Sequence, residues 1–240
     1  MVLFFLFING DYLMLWINNF DLFLFDFDGL LVNTEHIHYQ AYVNMLKNRG
    51  LDLDWGFEVF CSIAHSSQEG LRIEIYSKFP QLFEMQPRWE VLYEEKKKAY
   101  FDLISGAKVE LMPGVEKLLL FLKESNKLSC VVTNSLLDHA RVIIGNNPIL
   151  KNIDYWITRE DYLNPKPDPE CYLRAIQLYG KTGDKIVGFE DTIKGINALC
   201  QTPAKSVLVC ASHHPQEDIL LKKGVVHFES FDKIPDSFSF

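Results

Sequence analysis

Phe20-Asp21-Leu22-Phe23-Leu24-Phe25-Asp26-Phe27-Asp28-Gly29 is a short apolar run that turns acidic at its end. Residues 20–25 are rich in aromatic and aliphatic side chains and read as a buried strand. Residues two apart on an extended chain project the same way, so Asp26 and Asp28 can converge on one site. Two neighbouring carboxylates repel unless a cation or a shared proton offsets them. Gly29 lets the chain turn sharply behind them. Such a stretch also occurs in ordinary surface loops, where Asp and Gly are common, so its meaning depends on what surrounds it.

The same apolar pattern recurs downstream. Residues 128–133 (LSCVVT), 154–158 (DYWIT), 185–189 (KIVGF) and 206–210 (SVLVC) read as further strands. Helical patterns separate them. Residues 114–125 carry a Leu/Phe stripe at helical spacing. Asp168-Pro169 reads as an N-cap followed by proline at the first helical position, with Gly180 closing that helix. Residues 215–223, followed by Gly224, repeat the pattern. Strand–helix–strand repetition predicts an α/β fold, a Rossmann-like parallel sheet with helices on both faces. Ligands bind such sheets at the carboxyl ends of the strands.

Polar residues fall at those ends. Residues 131–135 (VVTNS) place a hydroxyl and backbone N–H groups at a helix start, which binds anions or simply caps the helix. Lys166 stands between Pro165 and Pro167, whose restricted φ fixes where its stem leaves the chain. A point charge held this way suits phosphate or a carboxylate, a surface turn being the plainer alternative. Residues 190–192 (EDT) close the fourth strand, again before a helix. That acidic pair either caps the helix or completes, with Asp26 and Asp28, an all-oxygen set suited to Mg²⁺. Each feature has an ordinary explanation alone. Together they occupy one sheet edge in complementary roles, which the ordinary explanations do not account for.

Composition narrows the function. A length of 240 residues, 48% hydrophobic and 23% charged residues describe a soluble globular chain. A net charge of -8 without a basic cluster argues against nucleic acid as a partner. Lys96-Lys97-Lys98 follows Glu94-Glu95 and reads as a solvated helix face. Five scattered cysteines without a CxxC spacing read as reduced thiols, pointing to a cytoplasmic protein. Residues 1–20 are apolar, but no Lys or Arg precedes Lys47, and Asn9-Gly10-Asp11 interrupts the run short of a membrane span. An extra strand or hairpin, or a start at Met14, is expected there, and no membrane partner. His213-His214 precede Pro215 and read as a loop rather than a metal site.

From about residue 34 to 106 no strand pattern appears. Residues 36–49 end at Gly50, residues 66–69 (SSQE) form a capping box, and Pro87 opens a helix over residues 88–104. The expected organisation is an N-terminal extension (1–18), a core (19–33 and 107–240) and an inserted helical cap (34–106).

The order DFDG, VVTN, the lysine of PKP, then FEDT is similar to the four motifs of the haloacid dehalogenase superfamily. The resemblance runs from Asn19 to about Phe228. Residues 30–35 (LLVNTE) and 112–115 (MPGV) also resemble the cap boundaries of its β-phosphoglucomutase-like branch, with Asn33 where Asp is commoner. The resemblance implies a phosphatase using Mg²⁺ on a small phosphorylated metabolite; the sequence does not define the oligomeric state, for which a monomer is the default. Asp26 would be the nucleophile, forming an aspartyl-phosphate. Asp28 would be general acid and base; dehalogenases of the superfamily lack that carboxylate. Thr133 and the Asn134 N–H would hold phosphoryl oxygens, beside Gly29, and Lys166 would offset negative charge. The metal would sit on the Asp26 side chain, the Asp28 carbonyl and Asp191, with Glu190 as a ligand or directly behind the ligands. His38 corresponds to a histidine of the β-phosphoglucomutase-like enzymes and could reach the site from the cap, a surface or packing role being the plainer alternative.

The alternatives are a sugar-phosphate mutase and a non-catalytic binding module. A mutase grips a second phosphate with Lys and Arg in the second cap helix. Residues 63–68 (IAHSSQ) hold neither, the nearest being Arg72, which favours the phosphatase. Binding modules of this fold lose motif residues, and here all are present. Aromatic cap residues Tyr39, Tyr42, Trp55, Phe57 and Phe60 read as cap core with a possible share in the pocket.

Overall fold

The computed structural model describes residues 14–66, 68–211 and 223–240. Among them run β1 (Leu22–Phe25), β2 (Leu128–Val132), β3 (Tyr155–Ile157), β4 (Ile186–Glu190), β5 (Lys205–Val209) and β6 (Val226–Phe228). They form one parallel sheet in the order β3-β2-β1-β4-β5-β6. The first five lie where the sequence placed them, shifted or trimmed at their ends. Strand β6 was not anticipated, since three half-buried residues are too short for a period to show.

The chain builds from β1 outward to β3, then returns to the other side of β1 for β4 to β6. That reversal leaves a crevice at the carboxyl end of β1. The strand itself alternates between two cores. Phe23 and Phe25 join Trp16, Phe189 and Phe231 on one face, while Leu22 and Leu24 join Cys130, Val132 and Tyr172 on the other.

Between β1 and β2 lie α1 (Glu35–Lys47), α2 (Phe57–Ser66), α3 (Gln68–Lys78), α4 (Pro80–Met85) and α5 (Trp89–Gly106). They surround a separate cluster that includes Tyr42, Leu46, Phe60, Ile75, Leu82 and Leu92. The last of them, α5, ties this cap to the core by burying Tyr100 and Ile104 in the sheet's own cluster. After it come α6 (Val115–Glu124), α7 (Leu137–Asn146), α8 (Glu170–Tyr179) and α9 (Ile193–Leu199).

Two readings change. Lys96 is not on a solvated face: it is 5% exposed, its ammonium within about 6 Å of the ring centres of Tyr42, Tyr93 and Tyr100. The helical period turns Lys96 inward while its sequence neighbours face out. Helix α8 starts after Pro169, and Asp168 caps it from one position further back, accepting the Glu170 N–H at 2.9 Å. Residues 1–13, where most of the expected strand or hairpin would fall, lie outside the described residues; Leu15–Asn19 is a 3-10 turn with Trp16 and Ile17 buried. Its Trp16 ring lies against Phe20, Phe23, Phe189 and Phe238, so the far C-terminus completes its burial. The capping box at 66–69, the pair His213-His214 and most of the helix expected at 215–223 lie outside the described residues or side chains. All five cysteines are free thiols. No helix among the described residues is long and apolar enough to cross a membrane.

Candidate active site

A cavity of about 430 Å³ opens over the carboxyl ends of β1, β2 and β4 and beneath the cap. Asp26 follows β1 directly, its N–H still paired to the Phe189 carbonyl at 3.0 Å. Thr133 follows β2, and Glu190 and Asp191 sit at the end of β4. Lys166 enters from the loop ahead of α8. The sheet therefore gathers residues that are 140 positions apart in sequence.

Lys166 donates to Asp26 Oδ1 at 2.5 Å, Glu190 Oε1 at 2.6 Å and the Val132 carbonyl at 2.7 Å. Asp26, Glu190 and Asp191 are buried, with one oxygen of each within 4.8 Å of the others. Three ionised carboxylates against one ammonium would leave two negative charges in a buried site, and a divalent cation would balance them. Burial pushes Asp26 up to about 7, Lys166 pulling it down and Glu190 and Asp28 adding to the rise. Asp191 is raised by burial and by Asp26 and Glu190. Glu190 Oε2 and Asp191 Oδ1 are buried and accept no hydrogen bond from the described residues. Orphaned oxygens of this kind fit a hard cation.

Two glycines make room for that cluster. Gly29 has φ +82°, and a side chain there would run into Asp191 Oδ2. Gly195, in the first turn of α9, lies under the Glu190 carboxylate: a Cβ would stand about 2 Å from its carbon and both oxygens. We predict that Gly195→Ala weakens Mg²⁺ or Mn²⁺ binding by about tenfold or more. Overpacking should lower stability by roughly 1–3 kcal/mol. Calorimetric metal titration beside thermal melting checks both, and unchanged metal affinity would disprove this account of Gly195.

Asp28 faces away from the acidic cluster, toward the cap. Its Oδ1 accepts from Thr34 Oγ1 at 2.8 Å and Tyr100 OH at 3.0 Å, with His38 Nε2 at 3.4 Å; its Oδ2 accepts from Ser135 Oγ at 2.5 Å. Burial opposes ionisation, but the His38, Ser135 and Thr34 bonds overcome it and hold Asp28 below the usual carboxylate range. His38 is lowered to about 4 by burial and by Lys96. Lys96 Nζ lies 2.7 Å from His38 Nδ1. A neutral His38 thus accepts at Nδ1 and keeps its proton on Nε2, facing Asp28. Burial lowers Lys96 itself to about 7.

On the opposite wall Thr133 Oγ1 accepts the Ser135 N–H at 2.9 Å, which leaves its hydroxyl proton as a donor. Tyr162 OH contacts the Thr133 carbonyl at 2.8 Å and Asn134 Oδ1 at 2.6 Å, so the amide nitrogen is the end of Asn134 left for other partners. Thr34, Tyr100, Ser135, Lys96 and Gly195 were not singled out as site residues from sequence. Only Ser135, two residues past Thr133, carried a local signal.

Carboxylates, a lysine and a small hydroxyl at the switch point of a parallel sheet under a helical cap define a class of hydrolase. Residues 23–209 match the family described as haloacid dehalogenase-like hydrolase, and the chain belongs to it. 2-Deoxyglucose-6-phosphate phosphatase 2 of Saccharomyces cerevisiae is 32% identical, covering 80% of this chain and 81% of its own. The phosphorylated carbohydrates phosphatase of Thermotoga maritima is 26% identical over 73% of this chain and 78% of its own. Among solved structures, CbbY of Rhodobacter sphaeroides in complex with phosphate has a TM-score of 0.71 at 19% identity, covering 89% of this chain and 96% of that one, a likeness of fold.

Proposed function

We propose that the chain is a Mg²⁺-dependent phosphohydrolase that cleaves a small phosphomonoester, of the phosphorylated-sugar class, through an aspartyl-phosphate on Asp26. The observation that carries this reading is the buried Asp26–Lys166 contact beside two orphaned carboxylate oxygens. The sugar class rests on the names of the relatives.

In this reading Asp26 attacks phosphorus, and the P–O bond to the leaving group breaks. Thr133, the Asn134 N–H and Lys166 take up the charge on the phosphoryl oxygens. Asp28 protonates the leaving alkoxide, then removes a proton from the water that attacks phosphorus and frees Asp26. The donor set around Asp28 holds it ionised, the state the second step needs; to serve as acid it must first lose part of that set. Asp26, Asp191, the Asp28 carbonyl and Glu190 would hold Mg²⁺, which would supply charge neutralisation and a template for the phosphoryl group. His38 and Lys96 steer Asp28 from the cap. Arg72 is paired to Glu69 on the exposed side of α3 and does not line the cavity, which weighs against a mutase clamp.

The test is phosphate release from a panel of sugar phosphates and other small esters, with Mg²⁺ or EDTA. Mg²⁺-dependent release supports the reading; glucose 6-phosphate formed from β-glucose 1-phosphate without release would make it a mutase. Metal dependence should also vary with pH. Protons compete with the cation for Asp26, raised to about 7, and for Asp191, also raised, so the apparent Mg²⁺ constant should weaken by about tenfold or more from about pH 8 to about pH 6. A constant independent of pH would contradict the raised carboxylates.

A further inference from the structure

Lys166 Nζ has a fourth oxygen near it, Tyr172 OH at 3.0 Å, besides those of Asp26, Glu190 and Val132. An ammonium carries only three N–H groups, so its partners compete. Tyr172, fully buried in α8, gives its one hydroxyl proton to Glu190 Oε1 at 2.5 Å. Its oxygen then accepts from Lys166, and its ring lies 4.7 Å from the ammonium, within cation–π range. Glu190 Oε1 consequently has two donors, whereas Glu190 Oε2 has none among the described residues.

We infer that Tyr172 is a positioning residue: its hydroxyl shares Glu190 Oε1, so that Lys166 stays committed to Asp26 and Glu190 Oε2 stays directed at the cation niche. Val132 belongs to the sheet and cannot move toward Lys166. Without the phenol, a buried Glu190 Oε1 depends on Lys166 alone. The ammonium then shifts from Asp26 toward Glu190, and the carboxylate loses the second contact that sets its rotation. The role in turnover rests on the phosphohydrolase reading; the role in metal binding does not.

The test is Tyr172→Phe, which keeps the ring and its packing. Expected is a fall in kcat of about tenfold, the scale of one hydrogen bond to a charged group, with KM within about twofold. Mn²⁺ binding without substrate, followed by calorimetry, should weaken by a similar factor while the fold and melting transition persist. In a double-mutant cycle, Tyr172→Phe with Glu190→Gln should bind Mn²⁺ no more weakly than Glu190→Gln alone, because the hydroxyl acts through Glu190. Wild-type kcat and Mn²⁺ affinity in Tyr172→Phe, or additive losses, would overturn the inference. A Tyr172→Phe chain that does not fold would assign the hydroxyl to the fold and overturn it equally. If the wild-type chain releases phosphate from no ester, the phosphohydrolase reading fails while the Mn²⁺ titration still decides on Tyr172.

Discussion

Asp26→Asn should release no measurable phosphate from any ester the wild-type chain hydrolyses, a loss of at least about 10⁴-fold. An amide of the same shape still accepts from Lys166 but is a poor nucleophile toward phosphorus. The substitution should not unfold the protein. Burial and neighbouring carboxylates raise Asp26 to about 7 despite Lys166, so its environment on balance disfavours the charge. A carboxyl raised on folding binds more protons in the folded state. That contribution to stability is lost as pH rises from the unfolded value through about 7. Asparagine carries no charge to penalise. In EDTA at about pH 8, Asp26→Asn should therefore melt no lower than wild type. Retained turnover would remove Asp26 as nucleophile; a large drop in melting temperature would show that the Lys166 pairing outweighs the burial penalty.

The sequence exposed the site where a functional group coincided with a strand end. Asp26, Thr133, Glu190 and Asp191 met that condition, because alternating strands and helices predict which edge is open, whereas Lys166, in a loop, was marked by its flanking prolines. The residues that orient them were hidden for a physical reason. Tyr100 and Tyr172 lie on the buried stripes of helices, where an aromatic is ordinary core and only the position of its hydroxyl makes it more. Lys96 was misread because a run of three lysines hides which one the helix turns inward. Gly195 gave no turn signal, since its role is the space it leaves under Glu190. Trp16 required the distant Phe238 to explain its burial. Long-range partners of this kind are invisible to any window of local sequence.

Lys166→Met should also abolish turnover, but with the opposite effect on stability. Its ammonium is the only described cation in contact with Asp26 and Glu190, and its side chain is 2% exposed. Methionine fills similar space yet leaves two carboxylates, a carbonyl and a phenol without that donor. Removing one partner of a buried ion pair costs about 3–5 kcal/mol. For a chain of this size that lowers Tm by roughly 6–20 °C, taking about 2–4 °C per kcal/mol. Asp26→Asn removes a charge from an acidic cluster, whereas Lys166→Met removes the charge that offsets it, so the two inactive variants should separate in EDTA. Mg²⁺ should raise the Tm of Lys166→Met more than that of Asp26→Asn, because only the former keeps all three carboxylates to be neutralised. Lowering the pH should stabilise Lys166→Met relative to wild type, since its carboxylates then take up protons in place of the missing ammonium. Equal melting temperatures for the two variants in EDTA would mean that Lys166 contributes nothing to balancing the cluster, and the electrostatic account of the site would fail with it.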